Sequence, residues 1–529
     1  MQEALFDKGQ WEEGCGQRIE REPVEVNLKP KLKPIDRSQS MLRPVIVDEL
    51  VGPDHLVRAI WDLTGGLELG AFTKKIESKE GRAGRAAWDP RLLLSVWLYA
   101  LSEQVTSARE IERLMEYEPG LMWLAGLGEV NHHTLSDFRS DHPEEVKKLL
   151  VELTGVFMKE GLVKLDVVAH DGTKILAQAG ADTFRREGTL EKETAKARQI
   201  LDEWERQDAV EKEGGPTRRD KARKRVAEER MKRMKQAAEE LEKVRGNKKT
   251  EAEKAEARVS LTEPEARVMK HGNGALAPSY NVQLSTDAEQ KIIVGIHLTQ
   301  SSSDSESLLP GMEEVLETAG SYPKQAVADG AYTSKAAIEG MAEKKIDFYG
   351  SMKDEKVAQA AAMKAAGIDP AFSPAAFVRD EENKTLRCPA GKTLEYVRQS
   401  TKRDVLYHQY QAQGSDCQGC EHRKQCCPKH ADDGRLVSIK ISGSPLVEKM
   451  REKMKTDEAR KIYKMRGPVA EFPNCWIKEK IGLRKFRLRG MAKATTEARW
   501  GVLAYNAMQW VRLSWRPKLA KSAAAAVAA

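Results

Sequence analysis

The chain has 529 residues, 40% of them hydrophobic and 32% charged, with a formal net charge of +7 at pH 7. By length this is roughly two to four packed domains, and the apolar content excludes a disordered polymer. No run approaches the roughly 18 apolar residues that span a bilayer. The opening MQEALFDKGQWEEGCGQ also lacks the apolar core of a secretory signal, so a soluble, intracellular protein with no membrane contact is expected.

Residues 1–44 read as a poorly ordered arm, because KPKLKPIDRSQSMLRP is rich in proline and charge and has no periodicity. Residues 45–160 read as a helical domain. Starts such as Asp54 and Ser107 precede apolar residues at helical spacing, and Asp89-Pro90 should cap the most apolar helix, RLLLSVWLYALSEQ. Asn131 or Thr134 could cap a further short helix. Short helices joined by tight turns suit a DNA reader of helix-turn-helix type, and equally a plain bundle. His132 and His133 fit a surface or capping role better than a metal site.

At LDVVA the pattern turns to β, ending at His170-Asp171-Gly172. Residues 185–260 then give a Lys/Arg/Glu-rich pair of helices broken at Gly214-Gly215-Pro216, either a solvated hairpin or an arm that faces DNA. SYNVQLSTDAEQKIIVGIHLTQ is a strand pair turning near Thr286-Asp287. SESLLPGMEEVLETAG is a helix that tolerates Pro310 only near its start or at a break. QAVA is a strand leading to Asp329-Gly330, a helix follows, and IDFYG is another strand. This order implies an α/β fold with a helix-covered sheet. Residues 353–450 carry five of the seven cysteines and weak strand patterns. Residues 461–515 return to helix and should pack on the sheet, leaving 516–529 as a low-complexity, flexible tail.

Asp171 and Asp329 each follow an apolar strand and precede glycine, which is also a common turn signal. Strand ends in open α/β sheets hold acids rigidly, and the two strands could lie side by side. A third acid is available in the basic stretch Tyr463–Gly490. There, Glu471 and Lys478 fall on one helical face, two turns apart. Three carboxylates suit hard divalent cations, and a pair of such ions can drive in-line displacement at phosphorus.

Asp171 in VAHDGTK, Asp329 in VADGAY, and Tyr463-x2-Arg466 leading into Glu471-x6-Lys478 together resemble the DDE transposases of bacterial insertion sequences. WDPRLLLSVWLYAL and NHHTLSDFR resemble the N-terminal domain of that group, SYNVQLSTD the strand pair after the first aspartate, and RKFRLRG the basic stretch after the glutamate. The resemblance spans roughly residues 46–510. It implies an RNase H-like mixed-sheet catalytic core, shared with retroviral integrases, over 161–350 and 461–515. The charged helical segment 185–260 and the cysteine-rich segment 353–450 would be insertions. It further implies that Asp171, Asp329 and Glu471 hold two Mg²⁺ or Mn²⁺ ions, and that Tyr463, Arg466 and Lys478 contact DNA at the element's ends. The protein would act in the bacterial cytoplasm, at the nucleoid, as a homodimer on double-stranded DNA, cutting terminal inverted repeats and joining them to target DNA. A nuclease that cuts without joining, or a non-catalytic regulator, are the alternatives.

Pro473 is compatible with the Glu471 helix only in its first turn. Glu479 and Glu497 are alternative third acids. In RKFRLRG an extended chain would turn Arg484 or Lys485 and its alternates, Arg487 and Arg489, to phosphate and Phe486 and Leu488 to the core, or would be a charge-protected edge strand. Trp476 fits the core better than a base-stacking role. Cys388, Cys417, Cys420 and Cys426 could form a structural four-thiolate zinc site, with Cys427, His422 and His430 as alternates. Free cytosolic thiols and redox chemistry remain open at the same residues.

Overall fold

The computed structural model describes residues 44–76, 78, 86–209, 217–352, 355–380, 382–402, 405–429, 432–442 and 444–528. The arm expected over 1–44 lies almost wholly outside them, as do Cys15, Gly214-Gly215-Pro216 and His430. Val47–Ala529 is one unit and is described by itself.

Its first part is helical. Helices Leu56–Gly65, Pro90–Ser102, Ala108–Leu114, Pro119–Ala125, His132–Ser140 and Pro143–Lys159 form a bundle. Asp89 caps the second of these through a 2.8 Å bond from Arg91 N, and Asn131 caps the fifth through His133 N, also at 2.8 Å. The first helix starts one residue later than Asp54 suggested, since His55 accepts from Val57 N. Ser107 holds the cap position without a side-chain bond. The His132 ring is hydrogen-bonded to Glu112 at 2.7 Å, and both side chains are partly exposed.

Strands β1 (Val167–Leu176), β2 (Phe184–Arg185), β3 (Val259–Ser260), β4 (Arg267–Lys270), β5 (Leu276–Asp287), β6 (Ile293–Thr299), β7 (Gln325–Ala328) and β8 (Asp347–Gly350) follow. The main sheet runs β4-β5-β1-β7-β8, with β6 also on β5. β1 is antiparallel to β5 and parallel to β7, and β7 is parallel to β8. The sheet is therefore mixed, as expected from the element order. β1 does not stop at Asp171: its antiparallel ladder with β5 continues to Leu176 and keeps the chain extended. Pro310 sits in the first turn of helix Leu308–Ala319, where its missing N–H costs nothing.

Between β2 and β3, helices Glu187–Ala209 and Arg218–Gly246 pack on each other through Leu190, Ala197, Met231, Met234, Ala237 and Leu241. A Thr217–Asp220 capping box starts the second. Residues 378–442 form a separate antiparallel sheet of five strands, a far more regular element than the weak sequence pattern suggested.

Helix Met491–Trp510 is buried along nearly its whole length. On one side Asn506 accepts from Ile293 N at 3.1 Å and donates to Ile293 O at 2.8 Å, fixing the helix to β6. On another, Trp500 packs 6.4 Å from Trp97 of the helical bundle and donates to Arg139 O at 3.1 Å. Bundle and sheet thus share one core. The alanine-rich end is helical through Ala528, in line with alanine's high helix propensity.

Candidate active site

Side chains alternate along a strand, so Val167, Ala169 and Asp171 share a face of β1. Val327 lies on the matching face of β7, and Asp329 directly follows that strand as the cap of a short turn. The parallel register pairs His170 with Ala328, which sets the next residues, Asp171 and Asp329, beside each other. That face carries a small apolar cluster of Ala169, Val327, Tyr349, Ala459, Val469 and Ala470. Val469 and Ala470 belong to helix Arg466–Glu479, and Glu471 is the next residue. Asp171 lies two residues beyond Ala169, Asp329 two beyond Val327, and the exposed Glu471 directly after Ala470.

A direct bond ties the helix to β1: Asn474 Nδ2 donates to Asp171 Oδ2 at 3.3 Å. Gly467, Glu471, Asn474 and Lys478 fall at helical spacing on one stripe. Pro473 lies inside this helix rather than in its first turn. The helix runs on despite the absent N–H, with Pro473 and Ile477 buried against the core.

Burial raises the pKa of Asp171 above the usual carboxylate range. The Gly172 N–H and the positive charge of Arg466 oppose that rise, while Asp304 and Asp329 reinforce it. Asp304 was not foreseen. It accepts from Asn281 Nδ2 at 2.7 Å and Gln283 Nε2 at 2.8 Å, both on β5, and so is fixed beside β1. Gln283 in turn accepts at 2.7 Å from the buried Tyr332, in the turn after Asp329. His170, directly before Asp171, is fully buried and hydrogen-bonded to Ser285 at 2.9 Å. Its pKa falls to about 3 through burial, so it stays neutral beneath the acids.

Arg466 stands 6.0 Å over the Tyr463 ring. Lys478 is half-buried, and burial lowers its pKa, with Arg484 adding to the effect. Of the alternative third acids, Glu479 pairs with Arg484. Glu497 is 4% exposed and accepts backbone bonds from Arg487 and Leu488. Both are engaged away from Asp171. Arg484, Lys485, Arg487 and Arg489 are exposed while Phe486 is buried, the alternation the sequence suggested. Trp476 packs on Phe472 at 5.1 Å and Tyr505 at 6.2 Å, a core position.

The donor set fits hard divalent cations. Asp171, Asp329 and Glu471 offer carboxylate oxygens, and Asn474 Oδ1 is buried without a hydrogen-bond partner. Among the described residues no three His, Cys, Asp or Glu side chains stand together at metal-binding distance. Cys388, Cys417, Cys420, Cys426, Cys427 and His422 line one cavity of about 30 Å³. Cys388 Sγ accepts from Lys392 N at 3.2 Å and Cys417 Sγ from Arg435 N at 3.3 Å. Burial pushes the Cys426 thiol up to about 11.

Asn474 and Asp304 were the residues that sequence reasoning missed. Asn474 was within reach, three residues after Glu471 on the same stripe. Asp304, in SSSDSES, lies in a loop without a periodic signal.

Among the described residues no helix is long and apolar enough to cross a membrane. No curated protein matches the chain. A family model described as a transposase DDE domain matches residues 387–511, which include Tyr463, Arg466, Glu471 and Lys478. A second, described as a transposase domain (DUF772), matches residues 45–141, the helical bundle. These two transposase-domain matches lie one on each side of the segment that carries Asp171 and Asp329, and they are consistent with a DDE transposase of the insertion-sequence type.

Proposed function

We propose that the chain binds the terminal inverted repeats of its own element, hydrolyses the DNA there and joins the freed 3′-hydroxyls to target DNA. The observation that carries this reading is the approach of three elements: Asp171 on β1 lies one residue beyond the His170–Ala328 pair, Asp329 directly follows the parallel strand β7, and Asn474 ties the Glu471 helix to Asp171. The strand order, with antiparallel β5 and β6 on one side of β1 and parallel β7 and β8 on the other, supports an RNase H-like core. On this reading the hairpin of 185–260 and the cysteine-bearing sheet of 353–450 are insertions between its parts.

Asp171, Asp329 and Glu471 would hold two Mg²⁺ or Mn²⁺ ions. Such ions, when bound, activate a water or 3′-hydroxyl and stabilise the leaving oxygen. The chain's own residues fix the geometry. Asn474 orients Asp171, and Asp304, held by Asn281 and Gln283, keeps the local field negative. Arg466 and Lys478 bring positive charge for the scissile and flanking phosphates. The helical bundle would read the repeats, and two copies would bridge two ends. The thiols at Cys388, Cys417, Cys420 and Cys426 would hold a structural zinc ion once drawn closer together: they line one cavity, and two of them accept backbone N–H bonds.

The test is incubation with Mg²⁺ and labelled duplexes that carry the flanking sequences of the coding region. Joined products support the transposase. Cut ends without joining leave a nuclease. Binding without cutting leaves a regulator.

A further inference from the structure

The basic segment Arg484–Gly490 is held by acids that do not pair with its side chains. Glu497 Oε2 accepts from Arg487 N and Leu488 N, both at 2.9 Å. Glu263 Oε1 accepts from Gly490 N at 2.9 Å, and Glu265 Oε2 from Met491 N at 2.8 Å. Glu263 is 1% exposed and also accepts from Tyr280 Oη at 2.9 Å. The other end is a strand-like join to β1: Phe486 N donates to Leu176 O at 2.9 Å, and Leu176 N to Arg484 O at 3.2 Å. Phe486 is fully buried, 5.9 Å from Tyr280 in an edge contact.

Backbone N–H groups consume these carboxylates. Lys485, Arg487 and Arg489 are exposed, and none has an ion pair among the described residues. Arg487 and Arg489 favour the charged forms of Glu497 and Glu263 through space only. Arg139 of the helical bundle reaches Glu497 at 3.9 Å, so the clamp also touches the part of the chain matched as a separate transposase domain. Three acids, two of them 227 and 226 positions away, hold the backbone of this segment and of Met491 after it.

We propose that Glu263, Glu265 and Glu497 are positioning residues that clamp this segment into a rigid cationic rail, on which Lys485, Arg487 and Arg489 meet duplex DNA phosphates. The inference rests on the transposase reading for its partner, and it adds the residues that shape the contact. Rigid display lets each cation bind phosphate without first being ordered.

The experiment measures binding of the full chain to a fluorescent duplex of fixed sequence, between about 50 and 200 mM salt. Arg487→Ala and Arg489→Ala should each lower the slope of log K against log salt by about 0.9, one phosphate contact apiece. Glu497→Gln and the partly exposed Glu265→Gln should weaken binding and flatten the slope at an unchanged melting temperature, and Glu265→Asp should restore part of it. A merely structural glutamate would change melting and leave the slope alone. Arginine variants that weaken binding beside glutamine variants that match the native slope would overturn the clamp and leave the reading standing. Native protein without salt-dependent duplex binding would overturn both.

Discussion

Asn474 on helix Arg466–Glu479 donates its amide to Asp171 on β1, a bond between residues 303 positions apart in the chain. It converts a helix that merely covers the sheet into one with a fixed register against the first acid. The oxygen of that amide, Oδ1, is buried without a hydrogen-bond partner.

Asn474→Ala should therefore reduce cleavage by about 10- to 100-fold, the usual effect of losing a residue that orients a metal ligand. Asn474→Asp, which keeps the size but loses the donor, should not restore the rate. Single-turnover cleavage of labelled ends measures this. An alanine variant with native rate would make the bond incidental.

Arg466 lowers the pKa of Asp171 against the larger effect of burial. Without that charge the carboxyl holds its proton to higher pH. Arg466→Gln should then move the acidic limb of the pH–rate profile upward, with Mg²⁺ saturating. An unshifted limb would separate Arg466 from Asp171 and leave it a DNA contact alone.

Asp171 also carries a stability signature. Its folded pKa is raised, so the folded chain binds this proton more tightly than the unfolded one. The contribution is full below the unfolded value of about 3.9 and is lost as pH rises through the folded value. Asp171→Asn removes that loss. In chelator its melting temperature should exceed the native one near neutral pH, and the gap should close on acidification. A variant less stable at every pH would mean the carboxylate is structurally required.

The zinc reading predicts about one zinc ion per purified chain. Cys417→Ser should lose it, and a strong chelator should lower the melting temperature of the native chain. Metal analysis that finds no zinc, with chelator-insensitive melting, would leave these residues as free thiols.

How legible all this was in the sequence depends on range. Caps such as Asp89 and Asn131 act within a few residues and were readable, as were the short strands that flank Asp329. Alternation in RKFRLRG correctly turned Phe486 inward. Boundaries set by distant partners were not readable. β1 runs past Asp171 only because β5, about a hundred residues on, continues to pair with it. Pro473 sits mid-helix because the packed face, not the missing hydrogen bond, decides the segment. The clamp on Arg484–Gly490 joins Glu263 to Gly490, 227 positions apart, and no local pattern signals it. The cysteine-bearing sheet was faint because two of its strands are three residues long and the ten-residue strand Thr393–Lys402 is exposed over most of its length, so it carries no apolar alternation.

The most direct test of the central claim compares the native chain with Asp171→Asn, Asp329→Asn, Glu471→Gln, Glu479→Gln and Glu497→Gln on labelled element ends with Mg²⁺. Loss of cleavage and joining by more than about 100-fold in the first three, beyond what an orienting residue costs, is expected. Glu479→Gln should keep activity, and Glu497→Gln should lose it only through weaker DNA binding, recovered at low salt or high DNA concentration. Full activity in Glu471→Gln, or in either aspartate variant, would contradict the three-acid site.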